Sequence, residues 1–234
     1  MMPVKFTPST PAKYVPFDFE GYVSSMNTYF GNYSFFDKWL RYWTELFHKL
    51  DEDVKLYIKR FPHTNPVMQR ILHYPTARLK NNEVYHFDHI TEFGTFHFHF
   101  DVEKMNSFKE KLGVPIEVVK GSTLYIDDDT PYIHDKLKDE RLPFFVRVFG
   151  VEESFVCADG NKRIKARMNN GEQNFRGYVF YPEHAEHIFF GPLDFYFYIF
   201  LYEVNLMYAE MMEKSSEKGV LSVTQLHLQA NAAR

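Results

Sequence analysis

The sequence predicts an α+β fold, and three stretches carry that expectation. From Phe35 to Ile58 apolar residues recur at three- and four-residue steps, the mark of a helix with one buried stripe. From Phe93 to Asp101 ring and polar residues alternate with the period of a strand. From Phe155 to Arg167 an apolar strand runs through Asp159 and Gly160 into a basic helix start.

Taken in order, residues 1–16 carry Pro3, Pro8, Pro11 and Pro16, which resist helix and strand ladders, so an extended arm is expected there. The first long helix should bury Phe36, Leu40, Trp43, Leu46, Phe47 and Leu50. A short helix is expected over Pro66 to His73, stopped by Pro75. Residues 84–102 read as β structure with Phe96, Phe98 and Phe100 facing the core. A short helix over 103–112 should end near Gly113, with Pro115 blocking its continuation, and this marks the expected boundary between two parts, 17–113 and 114–218.

Beyond it the sequence predicts a strand at Ile116 to Val119 and a helix at Thr130 to Lys138, with Asp129 or Thr130 capping it ahead of Pro131. Two strands, Pro143 to Val151 and Glu153 to Cys157, should be joined near Gly150. A helix at Asn161 to Met168 should stop at Asn169-Asn170-Gly171. A strand is expected at Tyr178 to Tyr181 and a final helix at Asp194 to Lys214. In that last helix the spacing of Glu203, Glu210 and Glu217 suggests a face left for packing against a second copy. The tail at 219–234 is weakly patterned and is expected to be mobile.

Composition narrows the function classes. A hydrophobic share of 45% beside 25% charged residues is that of a globular chain with a packed core. The aromatic share of 18%, from 25 Phe and 16 Tyr, calls for a ring-rich core or an exposed ring surface. The density of Tyr29, Phe30, Tyr33, Phe35 and Phe36 makes a partner protein, or weakly a single-stranded nucleic acid, a candidate for such a surface. A net charge of -4 gives no global attraction to nucleic acid or an anionic membrane. With Cys157 alone no internal disulfide can form, and no signal-peptide pattern opens the chain, so a cytoplasmic location is expected. The apolar run Leu193 to Tyr208 is shorter than the roughly 20 residues that span a bilayer and carries Asp194 and Glu203, so no membrane partner is expected.

The chemistry points to one turn. Gly160 lets the backbone turn tightly and lets a ligand approach, while the first amides of the following helix serve as anion donors. Lys162, Arg163, Lys165, Arg167 and Arg176 outnumber Asp159 and Glu172, concentrating positive charge there in an acidic protein. Strand, then Asp159-Gly160-Asn161-Lys162-Arg163, then a short helix, a glycine and a strand resembles the ParB/sulfiredoxin-like superfamily over about residues 114–182. Leu142 to Val148 looks like the strand that precedes the motif in that superfamily, and Asn174 to Val179 like the strand that follows it.

The resemblance implies a mixed sheet with helices and a site for nucleotide phosphates. It makes Gly160, Lys162 and Arg163 ligand contacts, and gives Asp159 and Asn161 the places of orienting or catalytic residues. A nucleoside triphosphate with Mg²⁺, or another phosphate-bearing small molecule, is the implied ligand. A nucleotide-dependent hydrolase or phosphotransferase is the implied activity. Sulfiredoxins carry a cysteine where Asn161 stands, so their reaction is not implied. ParB-type boxes carry Glu and Arg at Asn161 and Lys162, and the kinase-like relatives carry a His at one of these two places. The alternative reading is a non-catalytic interaction or nucleic-acid-binding protein, of mobile-element origin, acting through its aromatic surface.

Other clusters are weaker. His86, Asp88, His89, His97, His99 and Asp101 supply metal-ligand types at spacings that match no recognised zinc pattern. His184 and His187 beside Glu183 and Glu186 do likewise. Asp127-Asp128-Asp129 offers hard oxygens for Mg²⁺ or a helix cap.

Overall fold

The computed structural model describes residues 14–62, 84–214 and 216–232. The expected helix at 66–73 and the arm up to residue 13 lie outside them. The fold is α+β. Two short helices that the pattern did not announce come first, α1 (Phe19–Ser25) and α2 (Asn27–Phe30). The α1 N-terminus is closed by the Asp18 carboxylate, which accepts from the Gly21 amide at 2.9 Å.

Helix α3 (Phe36–Arg60) is the predicted long helix, and its buried stripe is Phe36, Trp39, Trp43, Phe47 and Leu50. Trp39 takes the place at the stripe's centre, and Leu40 and Leu46 flank it half-buried. Strands β1 (Val84–Thr91) and β2 (Gly94–Asp101) form an antiparallel hairpin that pairs Thr91 with Gly94 and His86 with His99. Gly94 sits at φ 124°, which the tight turn requires. Phe96, Phe98 and Phe100 face the core as expected. Asp101 then caps α4 (Val102–Phe108) by accepting from Lys104 N at 2.9 Å.

The second half is a five-stranded mixed sheet of β3 (Ile116–Lys120), β4 (Leu124–Tyr125), β5 (Phe144–Arg147), β6 (Phe155–Asp159) and β7 (Asn174–Phe180), in the order β3-β7-β5-β6-β4. β5 runs parallel to β7 and antiparallel to β6. The two strands joined by α5 (Asn161–Asn169) therefore lie on either side of β5 and run in opposite directions. One sheet face packs beneath α5 through Val119, Phe145, Cys157, Ile164, Phe175 and Val179. The other, with Phe144, Val146, Val156 and Phe180, joins the large aromatic core.

That core is built around α6 (Pro192–Met212), which buries Phe197, Tyr198, Phe200, Leu201 and Met207 and leaves Tyr208 and Met212 exposed toward its end. Phe197 meets Phe96 of the hairpin at 4.3 Å between ring centroids, and Phe200 meets Trp39 at 5.6 Å and Trp43 at 5.3 Å. Tyr198 donates to the Arg147 carbonyl at 2.8 Å, tying α6 to β5. The core takes in residues from both sides of Gly113, among them Phe47, Phe98, Val146 and Phe197.

Three expectations are corrected. No α-helix forms over Thr130 to Lys138; the segment is a loop with a single 3₁₀ stretch at His134–Lys138, and Thr130 buries its side chain instead of capping. Glu203 is not on a free face: it is 1% exposed and accepts from the Trp39 and Trp43 indole N–H groups, the latter at 2.9 Å, and from Gln225 N. The tail is structured as α7 (Glu217–Ser222) and α8 (Gln225–Ala232), with Val220 and Thr224 fully buried and Glu217 accepting from Ser34 N at 2.7 Å. Among the described residues no helix is long and apolar enough to cross a membrane.

Two outcomes follow from this core. Glu203→Ala strands two buried indole donors, and urea denaturation should show a loss of about 3 kcal/mol of stability. His89 is buried with Nε2 at 3.3 Å from the Tyr22 hydroxyl, its Nδ1 has no hydrogen-bond partner among the described residues, and burial lowers its pKa from 6.5 to about 4. The unfolded chain thus binds a proton that the folded chain refuses, so the stability this group contributes is present above pH 6.5 and is lost as pH falls toward about 4. Stability of His89→Phe, measured against pH, should decline less steeply than wild type across that window.

Candidate functional site

Asp159 ends β6, and Gly160, at φ 97°, reverses the backbone into α5. A Cβ at Gly160 would stand 2.8 Å from an Arg163 guanidinium nitrogen and 2.9 Å from Pro143 Cβ, so the turn requires glycine for conformation and for space. Among the described residues no side chain caps α5. The amides of its first turn are left without intrahelical acceptors, as at any helix start. The first intrahelical bond runs from Ile164 N to the Gly160 carbonyl at 2.9 Å.

The predicted residues divide by role. Asn161 is 2% exposed and donates through Nδ2 to the Cys157 carbonyl at 2.7 Å, which latches the helix start onto β6. Its Oδ1 is buried with no protein partner among the described residues. Arg163 is 5% exposed; one terminal nitrogen donates to Asp159 Oδ2 at 2.8 Å and the other lies 3.7 Å from Asp139 Oδ2. Its Nε is buried without a partner among the described residues. Lys162 is half-buried at the turn. Asp159, engaged by Arg163 in an i,i+4 ion pair, is placed to orient the turn.

All five line one cleft of about 790 Å³. Its opposite wall is α4 and the segment just after it, with Glu103, Asn106, Lys109 and Glu110. Its floor includes Phe144 and Tyr178, over whose rings the Lys109 ammonium lies at 5.6 and 5.5 Å. The loop before β5 contributes Lys136 and Arg141 to the rim. Five cationic side chains therefore face this space beside three carboxylates, those of Glu103, Glu110 and Asp159. Comparison of the chain with protein-family models, with curated proteins and with solved structures finds no match.

The remaining candidates are used differently. Cys157 is fully buried, burial pushes its thiol well above the ordinary range, and it donates to the Asp159 carbonyl at 3.2 Å. It is a wall of the small core. The hairpin histidines take separate carboxylates: His97 pairs with Asp88 at 2.6 Å and His99 with Asp194 at 3.2 Å, while Asp101 is the α4 cap. His184 accepts from Tyr181 N through Nδ1 at 3.0 Å, and His187 stacks on Phe108 at 4.7 Å. The Asp127 side chain accepts from Asp129 N at 3.2 Å in an ordinary turn. Among the described residues no three His, Cys, Asp or Glu side chains converge as metal ligands.

Sequence reasoning missed the wall opposite the turn. Lys109 and Asn106 come from α4 and Lys136 and Arg141 from a loop, and no local pattern connects either segment with residue 160. Gly160→Ala combines an unfavourable φ with a clash against Arg163 and Pro143, and should lower stability by about 2 kcal/mol in a denaturant titration.

Proposed function

We propose that the chain is a ParB/sulfiredoxin-like protein that binds a nucleotide or another phosphate ligand in this cleft, and that it acts as a nucleotide-dependent hydrolase or phosphotransferase. The observation that carries the reading is the meeting, at one turn, of a helix start without a side-chain cap among the described residues and the cations Lys162 and Arg163, with Lys136 and Arg141 on the adjoining rim. The volume suits a ligand of nucleotide size rather than a lone phosphate.

In this reading the α5 amides and Lys162 take the phosphate charge. Arg163 is buried, so it acts as a fixed positive element that holds Asp159. Asp159 orients the turn, and Asn161 locks the helix start to β6. A Mg²⁺ ion would shield the phosphate oxygens and be held chiefly by them, because no ready set of three protein ligands converges among the described residues. Of the rings named for the alternative of binding through an aromatic surface, Phe30, Phe35 and Phe36 lie in the core, while Tyr29 is exposed and packs edge-on against the exposed Tyr208.

Calorimetric titration with ATP, ADP, CTP and GTP, with and without Mg²⁺, tests the proposal. At least one nucleotide should bind, and Lys162→Ala should weaken that binding by about tenfold, the effect of one charge-assisted contact of about 1.5 kcal/mol. Absence of binding by all four would remove the nucleotide reading.

A further inference from the structure

Outside the turn itself, the densest charge cluster in the cleft's surroundings centres on a residue that does not line it. Asp139 lies in the loop between β4 and β5, and its carboxylate faces three of the cleft's five cations. Oδ1 accepts from Arg141 Nε at 2.9 Å and Oδ2 from an Arg141 terminal nitrogen at 2.7 Å, a two-pronged pair. Oδ2 also lies 3.6 Å from Lys136 Nζ and 3.7 Å from Arg163. The Asp139 carbonyl accepts from Arg167 at 3.2 Å, which adds a second tie to α5. The hydrogen bond from Arg141 holds this carboxyl well below the usual carboxylate range, so it is an anion throughout the neutral region.

From this geometry we propose that Asp139 is the positioning residue of the phosphate site, pinning the loop to α5 so that Lys136 and Arg141 become part of the cleft's cationic wall. The inference rests on the phosphate reading of the cleft. Like charges brought to one rim repel one another, and Lys136 and Arg141 sit on a segment whose regular structure is one 3₁₀ stretch. A carboxylate behind them offsets that repulsion and fixes their direction. Because Asp139 stands outside the cleft lining, a ligand meets the cations without first displacing it.

A competing arrangement has the same contacts and the opposite consequence: an internal anion that occupies the cations and must be expelled by the ligand. The sign of one substitution separates them. In Asp139→Asn, binding of ATP and of inorganic pyrophosphate should weaken by about tenfold, and its dependence on salt should flatten, because fewer fixed cations meet the ligand. A variant that was only less stable would keep the wild-type salt dependence. Hydrogen exchange should quicken over residues 133–142 while α3 and α6 keep their protection.

Unchanged or tighter binding by Asp139→Asn would overturn the proposal, and so would unchanged exchange in that loop. Wild-type protein that binds neither probe would overturn the phosphate reading itself. Exchange would then judge the loop anchor alone, acceleration supporting it and its absence refuting it.

Discussion

A carboxylate can be buried among aromatic rings only if donors surround it, and Glu203 is held in that way. Its oxygens take the indole N–H groups of Trp39 and Trp43 from α3 and the Gln225 amide at the start of α8. Desolvation raises the pKa of the group, and the three donors oppose that rise. Moving α6 along its axis, or rotating it, would leave both indoles and the carboxylate without partners in a dry interior. Dispersion between rings tolerates sliding, whereas this interaction does not, so it sets the register of α6 against α3.

The placement of α6 then propagates. Phe197 reaches the hairpin and Tyr198 reaches the β5 carbonyl, so the hairpin and the sheet are referred to the same helix. Asp194, in the first turn of α6, receives His99 N at 2.8 Å, a second fixed point on β2. Strand β2 leads straight into α4, whose N-terminus Asp101 caps, and α4 is the far wall of the cleft. The near wall is the β6–α5 turn, on a sheet fixed by the other end of the same chain of contacts. Both walls of the cleft are thus connected, through the hairpin and through β5, to the helix that Glu203 holds in register.

What could be read in the sequence follows from how local the cause is. The period of α3, the alternation of β2 and the strand-turn-helix at Gly160 are imposed by neighbouring residues, and all three were legible. Thr130 to Lys138 was misread because Pro131 after Thr130 looks like a helix start, while Asp139, at the end of the segment, is tied to Arg163 and Arg167, which are distant in sequence. The spacing of Glu203, Glu210 and Glu217 reads as a charged stripe, and nothing in it reveals that two tryptophans from another helix desolvate the first member. Trp39 and Trp43, in the stripe of α3, are the signal that a buried acceptor was required, since a buried indole seeks a partner for its N–H.

The site repeats this division. Asp159, Gly160, Asn161, Lys162 and Arg163 were found together because one short motif contains them, but their roles were not written in the motif. Arg163 would be a mobile phosphate contact if exposed; between Asp159 and Asp139 it is a buried counter-ion that fixes the turn. A buried guanidinium already engaged by two carboxylates cannot move toward a ligand without exposing their charge, so its field is preorganised and its geometry rigid. Adaptability in the cleft falls to Lys162, whose flexible stem can follow an anion, and to Lys109, held over Phe144 and Tyr178 by weaker cation–π attraction. Under the proposed reading, a rigid turn faced by compliant lysines suits a ligand fixed at its phosphate and more loosely held along the rest of its length.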